Sequence, residues 1–141
     1  MTEYSEQQQQ LIIQREIRQE EDYLVIAIQE ALDEAKYGDL EESQFRNLVR
    51  VADTTDSKEV IKNFLRYQMG RDKKWGRGKD SLAERIIQDI NTKLADKAKS
   101  IMGKANVFNE ETIEKAITLE LIRRYFGYGA RYLTYKRKAQ S

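Results

Sequence analysis

Residues 110–137, EETIEKAITLELIRRYFGYGARYLTYKR, have an apolar or aromatic side chain at every third or fourth position. That spacing is the period of one face of an α-helix. The members of this stripe are Ile113, Ile117, Leu121, Tyr125, Tyr128, Tyr132 and Tyr135. The other patterned segments have the same period, and none of five or more residues alternates strictly as a half-buried strand would. The sequence therefore predicts an all-α fold, a single-domain bundle of about five helices over residues 1–141.

Four more helices are predicted before this one, with glycine or short polar residues marking the turns. The five predicted helices cover residues 6–37, 43–52, 56–70, 80–103 and 110–137. The first is a long acidic amphipathic helix whose apolar stripe occupies residues 11–37. Over its full length it would span about 48 Å, whereas a compact domain of this size is under about 40 Å across. We therefore expect residues 1–10 to be frayed or to protrude toward a partner.

The composition is that of a folded domain poorly equipped for catalysis. Of the 141 residues, 40% are hydrophobic and 35% are charged, and the chain has no cysteine and no histidine. These absences remove the thiol nucleophile, the commonest general base and the usual zinc ligands. Acidic neighbours such as Glu20, Glu21 and Asp22 could bind a metal, but on the outer face of an amphipathic helix such residues are more often solvated. We predict no enzymatic activity, no catalytic residue, no metal site and no cofactor.

No part of the sequence resembles a membrane-spanning or export segment. No stretch approaches the roughly 18 consecutive apolar residues of a transmembrane helix. The start of the chain, with Glu3 and Glu6, is acidic, whereas a signal peptide starts with basic residues. We expect a soluble, cytoplasmic protein that does not contact a membrane.

The positive charges are concentrated after residue 45. Residues 1–45 carry 3 basic and 12 acidic side chains, whereas residues 46–141 carry 22 basic and 12 acidic ones. The balances are therefore −9 and +10, although the net charge of the chain is only +1. The basic part could face a polyanion, and the acidic part could keep that polyanion off one face or contact the basic face of another copy. The second possibility predicts head-to-tail self-association.

A basic loop is predicted at residues 70–79, GRDKKWGRGK. Its five cations, set against the single acid Asp72, are Arg71, Lys73, Lys74, Arg77 and Lys79. Cations in a glycine-rich loop can approach phosphates closely, although many basic loops are simply solvated. Trp75 allows two interpretations, because its indole could stack on a nucleobase or fold back onto the bundle.

The last predicted helix carries a second group of cations, with no acidic residue after Glu120. These cations are Arg123, Arg124, Arg131, Lys136, Arg137 and Lys138. Four tyrosines lie between them, and most of these rings are predicted to edge the core because they continue the aliphatic stripe. Gly127 and Gly129 are unfavourable inside a helix, which indicates a bend or the close approach of another helix.

Further cations lie on the second and third predicted helices. Lys62 and Arg66 are four residues apart, so we expect both to point away from the apolar face of their helix. Arg71 follows the same helix, where a cation also complements the helix dipole. Arg46 on the second helix completes the set. We predict that the cations after residue 45 share one exterior flank suited to a ribose-phosphate strand.

Three segments carry a combined pattern: residues 43–48 (SQFRNL), 64–71 (FLRYQMGR) and 125–135 (YFGYGARYLTY). In this order and spacing they resemble the small subunit of the type III-A CRISPR effector complex. The similarity covers about residues 40–138. Residues 1–38 and the loop around Trp75 have no counterpart in it.

The resemblance implies a small, non-catalytic helical bundle in a prokaryotic, cytoplasmic antiviral complex. Several copies would line up head to tail beside the other subunits of the crRNA-guided complex and contact target RNA and crRNA, while neighbouring subunits cleave nucleic acid. Contacts to the RNA backbone need no base reading, because guide–target pairing reads the sequence. The resemblance implies RNA contacts at Arg46, Arg66, Arg71 and Arg131, and the charge pattern adds Lys62, Arg77, Lys79 and Arg124.

Two other functions remain open. A stand-alone regulator could read duplex DNA with a helix-turn-helix, since a short turn at residues 53–56 joins the second and third predicted helices. Against this, both helices already have apolar faces, and the start of the would-be recognition helix has few polar side chains suited to reading bases. The other possibility is a scaffold whose basic face meets an acidic protein.

Overall fold

Six helices make up most of residues 4–139, which are the residues described by the computed structural model of the chain. Of these residues 79% are helical and none forms a strand, so the all-α prediction is confirmed. The fifth helix, α5, is continuous over residues 82–104 and includes a π-helical segment, Ile90–Leu94, between Leu82–Asp89 and Ala95–Lys104. The other helices are α1 (Glu6–Gln19), α2 (Glu21–Glu34), α3 (Glu42–Thr54), α4 (Lys58–Arg71) and α6 (Glu111–Ala139).

The first predicted helix is in fact two helices, which raises the count from about five to six. The break lies at Glu20, whose backbone (φ −91°, ψ 2°) ends α1 and begins α2. Glu21 and Asp22 then occupy the first turn of α2, where the helix dipole favours negative charge. The sequence concealed this break because no glycine or proline marks it and the apolar stripe continues across it.

The start of α1 has a capping box, and residues 6–10, within the segment predicted to fray, are helical. The Ser5 hydroxyl accepts from the backbone N–H of Gln8, and the Gln8 side chain accepts from the N–H of Ser5. Gln9 also donates to the backbone carbonyl of Asn106, which ties α1 to the segment before α6. The first three residues of the predicted frayed segment lie outside the described residues.

The long helix α6 is the centre of the bundle and packs between α2 and α3. Gly129 makes this packing possible, because a Cβ atom there would lie 2.7 Å from Ile28 Cγ1 and 2.7 Å from Phe45 Cζ. The predicted close approach of another helix is thus confirmed at Gly129. It does not occur at Gly127, where an added Cβ would meet nothing within 4 Å.

The remaining helices enclose this centre. Helix α5 packs against α2 and α4, α3 packs against α4, and α1 packs against the C-terminal part of α5. Ser81 caps α5 by accepting from the N–H of Glu84. At the start of the π-helical segment the buried Tyr125 hydroxyl donates to Asp89 Oδ2 at 2.6 Å. None of the helices within residues 4–139 is long and apolar enough to cross a bilayer.

Candidate nucleic-acid interface

The indole of Trp75 anchors the basic loop to the core. Trp75 is 1% exposed, and its ring stacks on Phe45 with centroids 5.7 Å apart and planes inclined by 25°. Of the two interpretations of this residue, folding back onto the bundle is confirmed and stacking on a nucleobase is wrong. The physical reason is the large apolar area of the indole, whose burial outweighs its use at the surface.

The backbone of this loop, residues 72–81, is fixed as firmly as its tryptophan. The Lys74 carbonyl accepts from the N–H of Gly38, and the Trp75 carbonyl accepts from the N–H of Ala83. Gly76 has a φ of +85°, and a Cβ atom there would overlap the Lys36 carbonyl oxygen. Only glycine combines this conformation with this close approach. The loop is therefore a structured platform that holds its charged side chains in solvent.

Five exposed cations lie at the C-terminal end of α4 and on this loop, and we call them the basic surface. None forms an ion pair with any residue in the described part of the chain. The loop's own acid, Asp72, is occupied locally, because its Oδ1 accepts from the N–H of Lys74 at 2.8 Å. The members of the basic surface are Arg66, Arg71, Lys73, Arg77 and Lys79.

Sequence reasoning missed an exposed aromatic residue beside these cations. Tyr67 is 61% exposed and lies on α4, next to Arg66 and four residues before Arg71. It belongs to the segment FLRYQMGR, in which the sequence analysis considered only the arginines. The signal was available in the helical period, because Tyr67 is two positions after the buried Leu65 and so faces away from the core.

Lys62 does not face solvent, which corrects the expectation that this side chain points away from the bundle. The residue is 7% exposed, and its ammonium lies 2.9 Å from Asn91 Oδ1 and 2.6 Å from Glu59 Oε2. The hydrogen bond from Lys62 lowers the pKa of Glu59 below its ordinary value. Helix α5 packs against this side of α4. Lys62 therefore lies between the two helices, and its ammonium group links them.

Arg124, another residue predicted to contact RNA, forms ion pairs within the bundle. Its guanidinium donates to Glu21 Oε1 at 2.6 Å and to Glu120 Oε1 at 2.8 Å, and so ties α6 to the start of α2. The hydrogen bond to Glu120 is the main reason that the pKa of Arg124 is raised. A bidentate side chain held by two carboxylates has little capacity left for a phosphate.

Arg46 and Arg131 are both exposed, and they lie on other helices, α3 and α6. Arg46 is bound to Glu42 Oε1 through Nε at 2.7 Å, and this hydrogen bond lowers the pKa of Glu42. Arg131 has no ion pair among the described residues. Arg66, Arg71, Arg77 and Lys79 lie on α4 and the loop after it, and a single exterior flank that also includes Arg46 and Arg131 stays a prediction.

Much of the charge polarity along the chain is neutralised within the fold. Five carboxylates, four on α1 and α2 and one at Glu20 between these helices, form ion pairs with cations beyond position 45. The pairs are Glu16–Lys104, Glu20–Lys97, Glu21–Arg124, Asp33–Lys136 and Glu34–Arg85. The acidic first third therefore holds the bundle together, and only its remaining carboxylates can influence a partner.

Carboxylates also gather where α4 and α6 begin, at the other end of α4 from the basic surface. Asp56, Glu59, Glu111 and Glu114 line one surface pocket there. Within residues 4–139 no group of three or more carboxylates is arranged to hold a metal ion. One end of α4 is thus acidic and the other basic, which restricts where an anionic polymer can lie.

Comparison with models of known protein families, with curated proteins and with solved structures finds no match to this chain.

Proposed function

We propose that this chain is a non-catalytic, RNA-binding small subunit of a crRNA-guided type III CRISPR effector complex. The observation that carries the proposal is the basic surface, which has five exposed and unpaired cations on a rigid loop and helix end. It includes Arg66 and Arg71, which belong to one of the three segments that resemble this family. The proposal includes target RNA, crRNA and the neighbouring subunits as partners in a prokaryotic cytoplasm.

The chemistry of the basic surface suits the sugar-phosphate backbone. Arginine offers planar, bidentate donors to phosphate, whereas lysine acts as a flexible point charge. Binding by these groups releases counterions, so it is independent of sequence and weakens as salt rises. A subunit that acts beside a guide RNA needs this kind of contact, because base pairing already supplies the specificity.

The proposed head-to-tail arrangement has support in the carboxylates that remain free. Asp22 and Glu30 on α2 are exposed and form no ion pair within the described residues. A contact between such acids and the cations of a second copy is heterologous, and it leads to filaments instead of closed dimers. Sedimentation at rising protein concentration should show successive species that dissociate in high salt. A closed, symmetric dimer would contradict this arrangement.

A regulator that reads duplex DNA has less support. Helices α3 and α4 are joined by three residues, as in a helix-turn-helix, but the first turns of a recognition helix must approach the DNA. In this chain four carboxylates and two ammonium groups line the pocket at the start of α4, so the phosphates would meet a net negative charge there. These residues are Asp56, Glu59, Glu111, Glu114, Lys58 and Lys115.

The proposal is tested with a double variant, Arg66→Gln/Arg71→Gln, and a control of equal charge change, Arg15→Gln/Arg18→Gln. Binding of the full chain to fluorescent single-stranded RNA is measured at several salt concentrations, with duplex DNA as a second probe. We expect the first variant to weaken RNA binding by at least about tenfold, and the control to leave it unchanged. Circular dichroism should report the same helicity for all three proteins.

Each other outcome has a definite meaning. If both variants weaken RNA binding equally, the basic surface acts only through the net charge of the protein. Tight binding to one duplex sequence would favour the regulator. Failure of the wild-type chain to bind RNA, alone or with its complex, would favour a scaffold.

A further inference from the structure

Helix α4 has an exposed stripe of side chains that ends at Arg71. Val60, Asn63, Tyr67 and Arg71 are three or four residues apart, so they form one outer stripe on the helix. Val60 is 48% exposed and Tyr67 is 61% exposed. The stripe thus combines two apolar side chains with an amide and a guanidinium, all facing solvent.

Tyr67 differs from four other tyrosines, Tyr37, Tyr125, Tyr132 and Tyr135, each of which has a hydrogen bond or a ring contact. Tyr125, Tyr132 and Tyr37 each donate a hydroxyl hydrogen bond, to Asp89, Asp33 and the Leu32 carbonyl respectively. Tyr135, which is 65% exposed, has its ring 5.9 Å from that of Tyr132. Tyr67 has neither a hydrogen bond nor a ring contact within residues 4–139. The residue is 61% exposed, and its ring is therefore available to a ligand.

The neighbours of this ring indicate what kind of ligand fits. Arg66 precedes Tyr67, and Arg71 lies one helical turn beyond it, at a rise of about 6 Å. Neither arginine is neutralised by a carboxylate of the described chain. An exposed ring with one available guanidinium on the preceding residue and another one helical turn beyond matches a polymer in which flat bases are attached to phosphates. An acidic protein surface would satisfy the arginines but would leave the ring without a partner.

We propose that Tyr67 stacks on an unpaired nucleobase of a strand whose phosphates are bound by Arg66 and Arg71. This inference rests on the proposed function, because it adds a base contact to the backbone contacts of the basic surface. Stacking tolerates every base, so the position distinguishes unpaired from paired nucleotides without reading sequence. In a duplex the bases stack on each other, and the ring of Tyr67 has no face to bind.

The test compares Tyr67→Ala with Tyr135→Ala, which removes an equally exposed tyrosine from another helix. Two probes are used with the full chain: a short single-stranded RNA, and inorganic polyphosphate, which has the charges but no bases. We expect Tyr67→Ala to weaken RNA binding by about fivefold or more and to leave polyphosphate binding unchanged. Tyr67→Phe should bind RNA like the wild type, and Tyr135→Ala should alter neither affinity.

Fluorescence of an RNA that contains 2-aminopurine provides a second readout, because stacking quenches this base. Quenching should occur with the wild type and Tyr67→Phe, and should disappear with Tyr67→Ala. Tyr67 should contribute nothing to the binding of double-stranded RNA of the same length. The wild type and Tyr67→Ala should therefore bind it equally.

Three results would overturn the inference. If Tyr67→Ala behaves like Tyr135→Ala while Arg66→Gln/Arg71→Gln still weakens RNA binding, the stacking is wrong and the proposed function stands. If Tyr67→Ala weakens the binding of RNA and polyphosphate equally, the ring only positions the arginines. If the wild type binds neither RNA nor polyphosphate, the stacking and the proposed function fail together.

Discussion

The cations of α6 and those of the basic surface look alike in the sequence, yet the fold uses them differently. On α6, Arg123 donates to the carbonyls of Ala52 and Thr55 at 2.9 and 3.1 Å. Lys136 on the same helix contacts Asp33 Oδ1 at 2.7 Å and the Leu32 carbonyl at 3.2 Å. By contrast, Arg71 and Arg77 have no such partners in the described chain.

The difference shows what determines the role of a cation in a helical bundle. The last carbonyls of a helix have no partner within it, and cations from another helix can satisfy them. Helix α6 passes the C-terminal ends of both α2 and α3, so its cations are drawn into capping these ends. The loop of the basic surface also runs beside the end of α2, but within the described residues its cations make no hydrogen bond to the last carbonyls of a neighbouring helix, so they stay available.

We expect the largest effect from Trp75, which anchors the basic loop to the core. Trp75→Ala should lower the free energy of unfolding by about 3–5 kcal/mol, because it removes a fully buried ring that packs on Phe45. Urea denaturation measures this loss. Since Trp75 is the single tryptophan, its emission in the wild type should be that of a buried indole and should not change on addition of RNA.

Gly78→Ala is the matched control for the loop. Gly78 also has a positive φ of +79°, but an added Cβ would meet nothing within 4 Å. Its cost should therefore stay below that of Trp75→Ala. An indole that is quenched by RNA, or a Trp75→Ala variant of normal stability, would contradict the buried position.

The second prediction compares two arginines, Arg123, which we expect to affect stability, and Arg71, which we expect to affect RNA binding. Arg123→Gln should destabilise the fold by about 1–3 kcal/mol, because it removes charged hydrogen bonds to two carbonyls at the end of α3. The affinity of the folded fraction for RNA should remain that of the wild type. Arg71→Gln should do the reverse, with normal stability and weaker RNA binding. The comparison fails if both variants change the same property.

The fold class followed from the sequence because helical periodicity is local information. Ile17, Leu24, Ile28 and Leu32 are buried as their stripe predicted. What periodicity could not locate was the break at Glu20, since two helices that bury the same stripe have the same pattern as one. The Gly129 contact was predictable in kind, but its partners, Ile28 and Phe45, depend on how α6 passes α2 and α3.

The candidate site was predictable only in part, because the sequence shows charge but not pairing. Arg71 and Arg77 were found from the local excess of cations in a glycine-rich loop. The pairing of Lys62 and Arg124 within the bundle could not be predicted, since their partners Asn91 and Glu21 are distant along the chain. Tyr67 was not among the predicted site residues, although its position two residues after the buried Leu65 indicates exposure.

The third prediction concerns the buried carboxyl group of Asp89, which forms ion pairs with Arg85 and Lys93. Burial raises the pKa of Asp89, although the hydrogen bond from Tyr125 and the nearby Lys93 and Arg85 oppose this shift. A carboxyl group with a raised pKa in the folded state is protonated more readily there than in the unfolded chain. Its contribution therefore makes the fold more stable as pH falls from the raised pKa toward the ordinary carboxyl value.

Asp89→Asn should remove this contribution, because an amide keeps an acceptor for Tyr125 without a charge. We expect unfolding at neutral pH to require slightly more urea than in the wild type, by less than the change caused by Arg123→Gln. We also expect a flatter dependence of stability on acidic pH. A loss of stability at all pH values would instead mean that the charge of Asp89 is needed to hold Arg85 and Lys93.

The smallest effect separates a free exposed arginine from a paired one. Arg71→Gln should reduce the slope of log K against log salt for single-stranded RNA by about 0.7, the value for one lost phosphate contact. Arg46→Gln should change the slope less, because Arg46 must first leave Glu42, to which it is bound at 2.7 Å. Equal changes in slope would show that exposure alone, and not freedom from a carboxylate, makes a cation available to RNA. In that case Arg46 would join the basic surface in function despite its place on α3, and pairing would cease to distinguish the two regions.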